Sequence, residues 1–244
     1  WCIGNTCNYS CTYCPDYLHD GSIKWFDYDE VEHFCNRVIN HFDDKKLYFE
    51  FTGGEVTMWR HFPKLAEFLK RNGADVGFIS NGSRTLKWWR EHKKLFDNVS
   101  ISYHPEQADL EHLVEVFTEI RRDLKTHCNV MMHPKKELFD KGVELAKRVI
   151  KLSDITLALQ PLIKDFETDL YEYTSEQTEI IDNQVKLFCN KIISSQLVSL
   201  VLIDSITENN NFKNLINFSN LMNKLNLYYQ SNMEWYTNLI KDTF

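Results

Sequence analysis

The sequence predicts an α/β fold: a partial (β/α)6, TIM-like barrel over residues 1–165, followed by a mainly helical C-terminal appendage over residues 166–244. Three observations lead there. Short β-rich runs alternate with amphipathic helical patterns roughly six times in about 160 residues, and that repetition implies a parallel sheet with right-handed crossovers. The units are tightly spaced, which favours a curved sheet or barrel over an open Rossmann-like sheet. The chemically unusual residues fall just after the β-rich runs, where parallel βα folds bind ligands.

The elements follow in order. Trp1–Ile3 reads as the end of a first strand. Asp27-x-x-Glu30 reads as a capping box, with Val31, Phe34, Cys35, Val38 and Phe42 at helical spacing behind it. Leu47–Phe51 is a β-rich run ending at Gly53-Gly54. Met58, Phe62, Leu65 and Leu69 form a helix face stopped by Asn72-Gly73. Val76–Ile79 is the next strand, ending at Ser80-Asn81-Gly82, and a tryptophan-rich helix covers Trp88 to Leu95. Val99–Tyr103 is a strand, and Leu110, Leu113, Val114, Phe117 and Ile120 mark a helix. Asn129–Met132 is a strand, and Phe139, Val143, Ala146 and Ile150 mark a helix. Ile155–Leu159 is the sixth strand, after which the rhythm stops. Ser175 is expected to cap a helix carrying Ile180, Ile181, Val185 and Phe188. From about Ile193 the composition shifts to Asn, Ser, Leu and Ile.

Composition narrows the function classes. Hydrophobic residues make up 43% and aromatics 14%, ample for a buried core. No apolar run approaches the length of a membrane span, so no membrane partner is expected. No signal peptide is visible, and because the chain opens on Trp1 its N-terminus is expected to be missing. The net charge is −7 and basic residues adjoin only in pairs, which argues against a nucleic-acid partner. Cys2, Cys35, Cys128 and Cys189 are scattered singly, as buried or free thiols usually are. Free thiols beside a metal-like cluster fit a reducing cytoplasm.

Cys7, Cys11 and Cys14 are not scattered. They form a C-x3-C-x2-C run directly after the first strand. Three thiolates this close can bind three irons of a [4Fe–4S] cube and leave the fourth open to a small molecule. The alternative is a Cys₃His zinc site completed by His19. Structural zinc sites usually pair two knuckles across a longer loop, and no second knuckle is present.

The run, with aromatic Tyr13 just before its last cysteine, resembles the signature of the radical S-adenosylmethionine (radical SAM) enzymes. That resemblance implies a [4Fe–4S] cluster on Cys7, Cys11 and Cys14, with its open iron chelated by the methionine part of SAM. It implies reductive cleavage of SAM to a 5′-deoxyadenosyl radical, which abstracts hydrogen from a substrate. A reductase or flavodoxin-type electron donor is the implied partner. Gly53-Gly54-Glu55, about forty residues after the cysteines, matches the element that holds the SAM amino group. Taken alone, two adjacent glycines allow close backbone approach and a carboxylate can bind a cationic amine.

The same resemblance assigns cofactor contacts to Tyr13, Ser80, Asn81, Ser102, Val130 and Gln160. Ser80-Asn81-Gly82 reads equally as a turn with a helix cap. Val130 to Met132 reads equally as ordinary core. His104 and Glu106 follow the Val99–Tyr103 strand and His133 follows the Asn129–Met132 strand; the two histidines are candidates to face a substrate. Gly-Gly-Glu followed by Ser-Asn-Gly resembles the peptide-maturase and cofactor-maturase branches, so a peptide or amino-acid residue is the first expectation for the substrate. A small molecule or nucleotide is second, and a non-catalytic iron–sulfur or zinc module is the alternative from another class. The resemblance covers roughly residues 1–165. Only Cys189 lies beyond it, so no auxiliary cluster is expected.

Overall fold

The computed structural model describes residues 1–152, 154–164 and 169–183. Within them lies one parallel sheet of five strands in sequential order. The strands are β1 (Tyr48–Phe51), β2 (Asp75–Ser80), β3 (Asn98–Tyr103), β4 (Lys125–Met132) and β5 (Ile155–Pro161). The helices are α1 (Tyr28–His41), α2 (Phe62–Arg71), α3 (Leu86–His92), α4 (Leu110–Ile120), α5 (Lys136–Ile150) and α6 (Ser175–Asp182). Strand order never reverses. Right-handed crossovers then keep the linking helices on one side of the sheet, as in a barrel. A doubly wound Rossmann-like sheet needs a reversal, so the sheet excludes it.

The expected first strand is nearly absent. Cys2 makes a single parallel bridge to Thr52, with Ile3 N donating to Thr52 O at 3.3 Å and Thr52 N to Trp1 O at 2.9 Å. Beyond the bridge, Gly4 O and Thr6 O still accept from Gly54 N and Glu55 N, so the two segments stay side by side without forming a regular ladder. Strand β4 is longer than expected. Its first half, Lys125-Thr126-His127, is polar, which hides it from an apolar pattern.

Alternation along the strands separates two faces. Phe51, Phe78, Val99, Ile101, Cys128 and Val130 are buried toward the helices. Phe62 of α2 meets Phe51, Phe78 and Phe96 with ring centroids 5.2–5.6 Å apart, and Trp89 of α3 stacks on Phe78 at 6.0 Å. Each fully buried side chain of this size contributes roughly 1.5–3 kcal/mol. The other face carries polar pairs across β3, β4 and β5. Asn129 Nδ2 donates to Ser100 Oγ at 3.0 Å, and the His127 ring bridges Asn129 Oδ1 at 2.9 Å and Thr156 Oγ1 at 2.7 Å.

Several helix details differ from expectation. Asp27 is the N-cap of α1 but its side chain makes no capping bond, so no capping box forms. That helix buries Tyr28, Val31 and Cys35, whereas Phe34 and Phe42 are largely exposed. Met58 belongs to a short 3-10 turn, Val56–Met58, ahead of α2. In α5 the buried side is Phe139, Leu145, Ala146 and Val149 rather than Val143 and Ile150. Thr174, not Ser175, caps α6 through a full capping box with Gln177.

Of the expected appendage, only 169–183 are among the described residues, so Val185, Phe188, Cys189 and the Asn-rich stretch lie outside them. Residues 169–183 pack on the strand ends. Tyr173 Oη accepts from Leu162 N at 2.8 Å and donates to Met132 O at 2.6 Å, and Gln177 Nε2 donates to Pro134 O at 2.8 Å. Among the described residues, no helix is long and apolar enough to cross a membrane.

Candidate active site

The cysteine run occupies the space above the C-terminal ends of the strands. Asn5 shapes the entry to it. Its buried amide donates to Tyr17 O at 2.7 Å and Asp20 Oδ1 at 2.8 Å and accepts from Ile23 N at 2.9 Å, which folds the following loop back on the strand entry. The Gly53-Gly54-Glu55 turn braces the same entry. Gly54 N donates to Gly4 O at 3.1 Å and Glu55 N to Thr6 O at 2.8 Å. A Cβ at Gly53 would collide with the Gly4 carbonyl oxygen, and one at Gly54 with the Thr6 backbone. The close approach these glycines permit is thus first to the chain's own Gly4–Thr6 segment.

A cavity of about 530 Å³ lies there, within the range of small-molecule sites. Cys7, Cys11 and Cys14 line it together with Gly53, Gly54, Ser80, Asn81, Ser102, His104 and Met131. All three cysteines are free thiols. Burial raises the pKa of Cys7 and Cys14 and pushes Cys11 up to about 12. A metal must therefore displace protons from them on binding. Among the described residues no three His, Cys, Asp or Glu side chains are gathered to hold a single metal ion. The thiols instead surround shared space. His19, the fourth ligand of the zinc alternative, turns Nε2 toward the Cys14 carbonyl oxygen at 3.2 Å and Asp16 at 3.7 Å.

Two predicted site residues are placed differently from expectation. The Glu55 carboxylate does not line the cavity. It is 1% exposed and accepts from Thr57 N (3.2 Å), Thr57 Oγ1 (2.5 Å), Ser80 Oγ (2.9 Å) and Asn81 N (2.6 Å). Burial raises its pKa while these donors oppose the rise. Its side chain ties the loop after β1 to the end of β2, and the cavity meets the glycine backbone instead. Val130 is fully buried on the helix side, where a Cβ on Gly142 would sit 3.2 Å from it. The period of two along β4 gives the cavity position to its neighbour Met131.

The remaining residues divide. Ser80 and Asn81 reach the cavity, and Asn81 Nδ2 donates to Asn8 Oδ1 at 2.9 Å and toward Cys7 Sγ at 3.8 Å. Ser102 lines the cavity. Gln160 is exposed, donates from Nε2 to Pro161 O at 3.4 Å, and lies outside the cavity lining. Tyr13 is buried beside Cys11 and Leu162, with its hydroxyl 2.7 Å from His104 Nδ1 and its ring stacked on that imidazole. Burial lowers the His104 pKa to about 4, so the ring is neutral at pH 7. His133 stays outside the lining and pairs with Glu106 at 3.3 Å.

Sequence reasoning chose Val130 rather than Met131 from the Val130 to Met132 stretch, and passed over Asn5, Asn8 and Thr12. The alternation of β4 carried the signal for Met131. The asparagines carried none, because their roles rest on contacts with distant segments.

The model of the radical SAM superfamily matches residues 1–160. The chain belongs to the radical SAM superfamily. That family's enzymes use a [4Fe–4S] cluster and SAM, and three free thiols around a shared cavity are a donor set that fits such a cluster. Two solved radical SAM structures are similar in fold. Native anSMEcpe with bound AdoMet is 17% identical with a TM-score of 0.57, covering 79% of this chain and 60% of that one. Streptococcus suis SuiB bound to S-adenosylmethionine is 12% identical with a TM-score of 0.57, covering 80% of this chain and 47% of that one. This radical SAM chain therefore matches about half to three-fifths of the length of these structures. No curated protein matches it.

Proposed function

We propose that this chain holds a [4Fe–4S] cluster on Cys7, Cys11 and Cys14 and binds SAM in the adjoining cavity, with its substrate reached from the same space. The observation that carries this reading is one cavity at the strand ends lined at once by the three free thiols, the Gly53-Gly54 backbone, Ser80, Asn81 and Ser102. When bound, the cluster supplies the electron that cleaves SAM to methionine and a 5′-deoxyadenosyl radical, which takes a hydrogen atom from substrate.

The chain's own residues do the rest. Gly53 and Gly54 lack side chains, so they pack against the Gly4–Thr6 segment while still lining the cavity. Asn81 aims an amide donor at Cys7 Sγ, a contact that stabilises thiolate over thiol. Neutral His104, backed by buried Tyr13, closes one wall and limits water at the reacting centre. The Gly-Gly-Glu to Ser-Asn-Gly order favours a peptide or amino-acid residue as substrate, and a flavodoxin-type reductase is the proposed electron donor.

Electron paramagnetic resonance on anaerobically reconstituted, dithionite-reduced protein tests the reading. A reduced-cluster signal that changes on adding SAM, and that is lost in each of Cys7→Ala, Cys11→Ala and Cys14→Ala, is expected. A signal indifferent to SAM, or zinc bound in place of iron, overturns it.

A further inference from the structure

Cys14 N donates to Cys11 O at 3.0 Å, so Cys11 and Cys14 stand at the two ends of a β-turn. Thr12 and Tyr13 are its corner. Both corner residues are held by groups far along the chain, in the loop after β3. The Glu106 carboxylate accepts from Thr12 N at 2.7 Å through one oxygen and from Thr12 Oγ1 at 2.6 Å through the other, across 94 residues of sequence. His133 supports the carboxylate. Its Nδ1 accepts from Lys135 N at 3.0 Å, so in the neutral ring the proton lies on Nε2, which faces Glu106 Oε1 at 3.3 Å. Tyr13 is fixed through its hydroxyl to His104 in the loop that carries Glu106. Glu106 itself is anchored by its turn, in which Gln107 N and Ala108 N both donate to His104 O, at 3.0 and 2.8 Å.

We propose that Glu106 is a positioning residue for the cluster: it locks the corner of the Cys11–Cys14 turn and places one negative charge beside the cluster-binding thiols. A turn clamped at its corner cannot slide without moving both flanking thiols. A fixed carboxylate close to a cluster also makes its reduced, more negative state harder to form, and so a stronger reductant once formed. Carboxylate acceptors form the stronger class of hydrogen bond, and a fork that takes both donors of one residue adds geometric definition. The inference rests on the cluster reading given above.

The test uses Glu106→Gln and Thr12→Val in the full chain. Glutamine keeps one acceptor but turns an amide against a Thr12 donor and removes the charge. Valine removes one bond and keeps the charge. Iron release to a chelator and the midpoint potential of the cluster, read by paramagnetic resonance, are measured beside melting curves. The Glu106→Gln protein is expected to melt within about 5 °C of the unsubstituted chain, to release iron about tenfold faster, the loss of one charge-assisted bond, and to show a less negative midpoint. Thr12→Val is expected to release iron faster with an unchanged midpoint. Unchanged release and midpoint in Glu106→Gln overturn the proposal while leaving the cluster reading intact. If Glu106→Gln does not fold, His133→Gln and Thr12→Val decide it, and wild-type iron release in both overturns it. Failure of the unsubstituted chain to take up a four-iron cluster overturns both readings together.

Discussion

Replacing Glu55 with glutamine separates two roles for the Gly-Gly-Glu turn. In the structure the carboxylate takes four hydrogen bonds, three at Oε1 from Thr57 and Ser80 and one at Oε2 from Asn81 N. Glutamine retains a single acceptor oxygen. Its best placement keeps the Oε1 set and sets an amide donor against the Asn81 N–H. The cost is one charge-assisted bond and a buried unsatisfied donor, about 2–3 kcal/mol. For a chain of this size each kcal/mol shifts the melting temperature by roughly 2–4 °C, so a fall of about 5–10 °C is expected. The assay is thermal unfolding of the metal-free protein by circular dichroism, alongside SAM titration of the reconstituted protein. If the carboxylate instead gripped a ligand's amine, the substitution would leave the metal-free melt in place and weaken SAM binding alone. A melting shift under about 1 °C would refute the account of Glu55 as a buried brace.

Other substitutions probe the same frame. Gly54→Ala drives a Cβ into the Thr6 backbone and is expected to reduce iron incorporation severely, measured as iron per chain after reconstitution. Val130→Ala, on the helix side, is expected to destabilise by about 2 kcal/mol in denaturant unfolding while SAM affinity holds, whereas Met131→Ala does the reverse. His104 gives a pH signature. Its folded pKa, lowered by burial to about 4, lies below the unfolded value near 6.5, so the unfolded chain binds the extra proton first. Stability of the metal-free chain therefore falls as pH drops from about 6.5 to 4, by about 3 kcal/mol from this group. Unfolding curves across that range should lose this component in His104→Gln, and an unchanged pH dependence in that variant would contradict the buried neutral ring.

The repeating core was legible because its signals are local. Strand runs such as Val99–Tyr103, and stripes such as Leu113, Phe117 and Ile120 on α4, register burial directly in composition. The cysteine run was legible because three thiols at that spacing have few other uses. The first half of β4 was not, because Lys125, Thr126 and His127 are polar, and His127 pairs sideways with Thr156 only once β4 and β5 are side by side. The direction of the Glu55 side chain was not either. It depends on donors from Ser80 and Asn81, 25 and 26 residues away, which meet it only once β1 and β2 are paired. Val130 and Met131 differ only in parity along the strand, and parity needs a buried neighbour such as Gly142 to set it.

The contacts that complete the cysteine turn have a consequence for biogenesis. Thr12 and Tyr13 precede the strands in the chain, yet their partners His104, Glu106 and His133 follow β3 and β4. At ribosomal speeds of about 5–20 residues per second, the thiols emerge several seconds before the groups that fix them. During that interval they hang on an unanchored segment, open to oxidation and to adventitious zinc. On the proposed cluster reading, delivery becomes productive only after the polypeptide has been made through β4, so iron loading would come late in maturation although the cysteine run is made early.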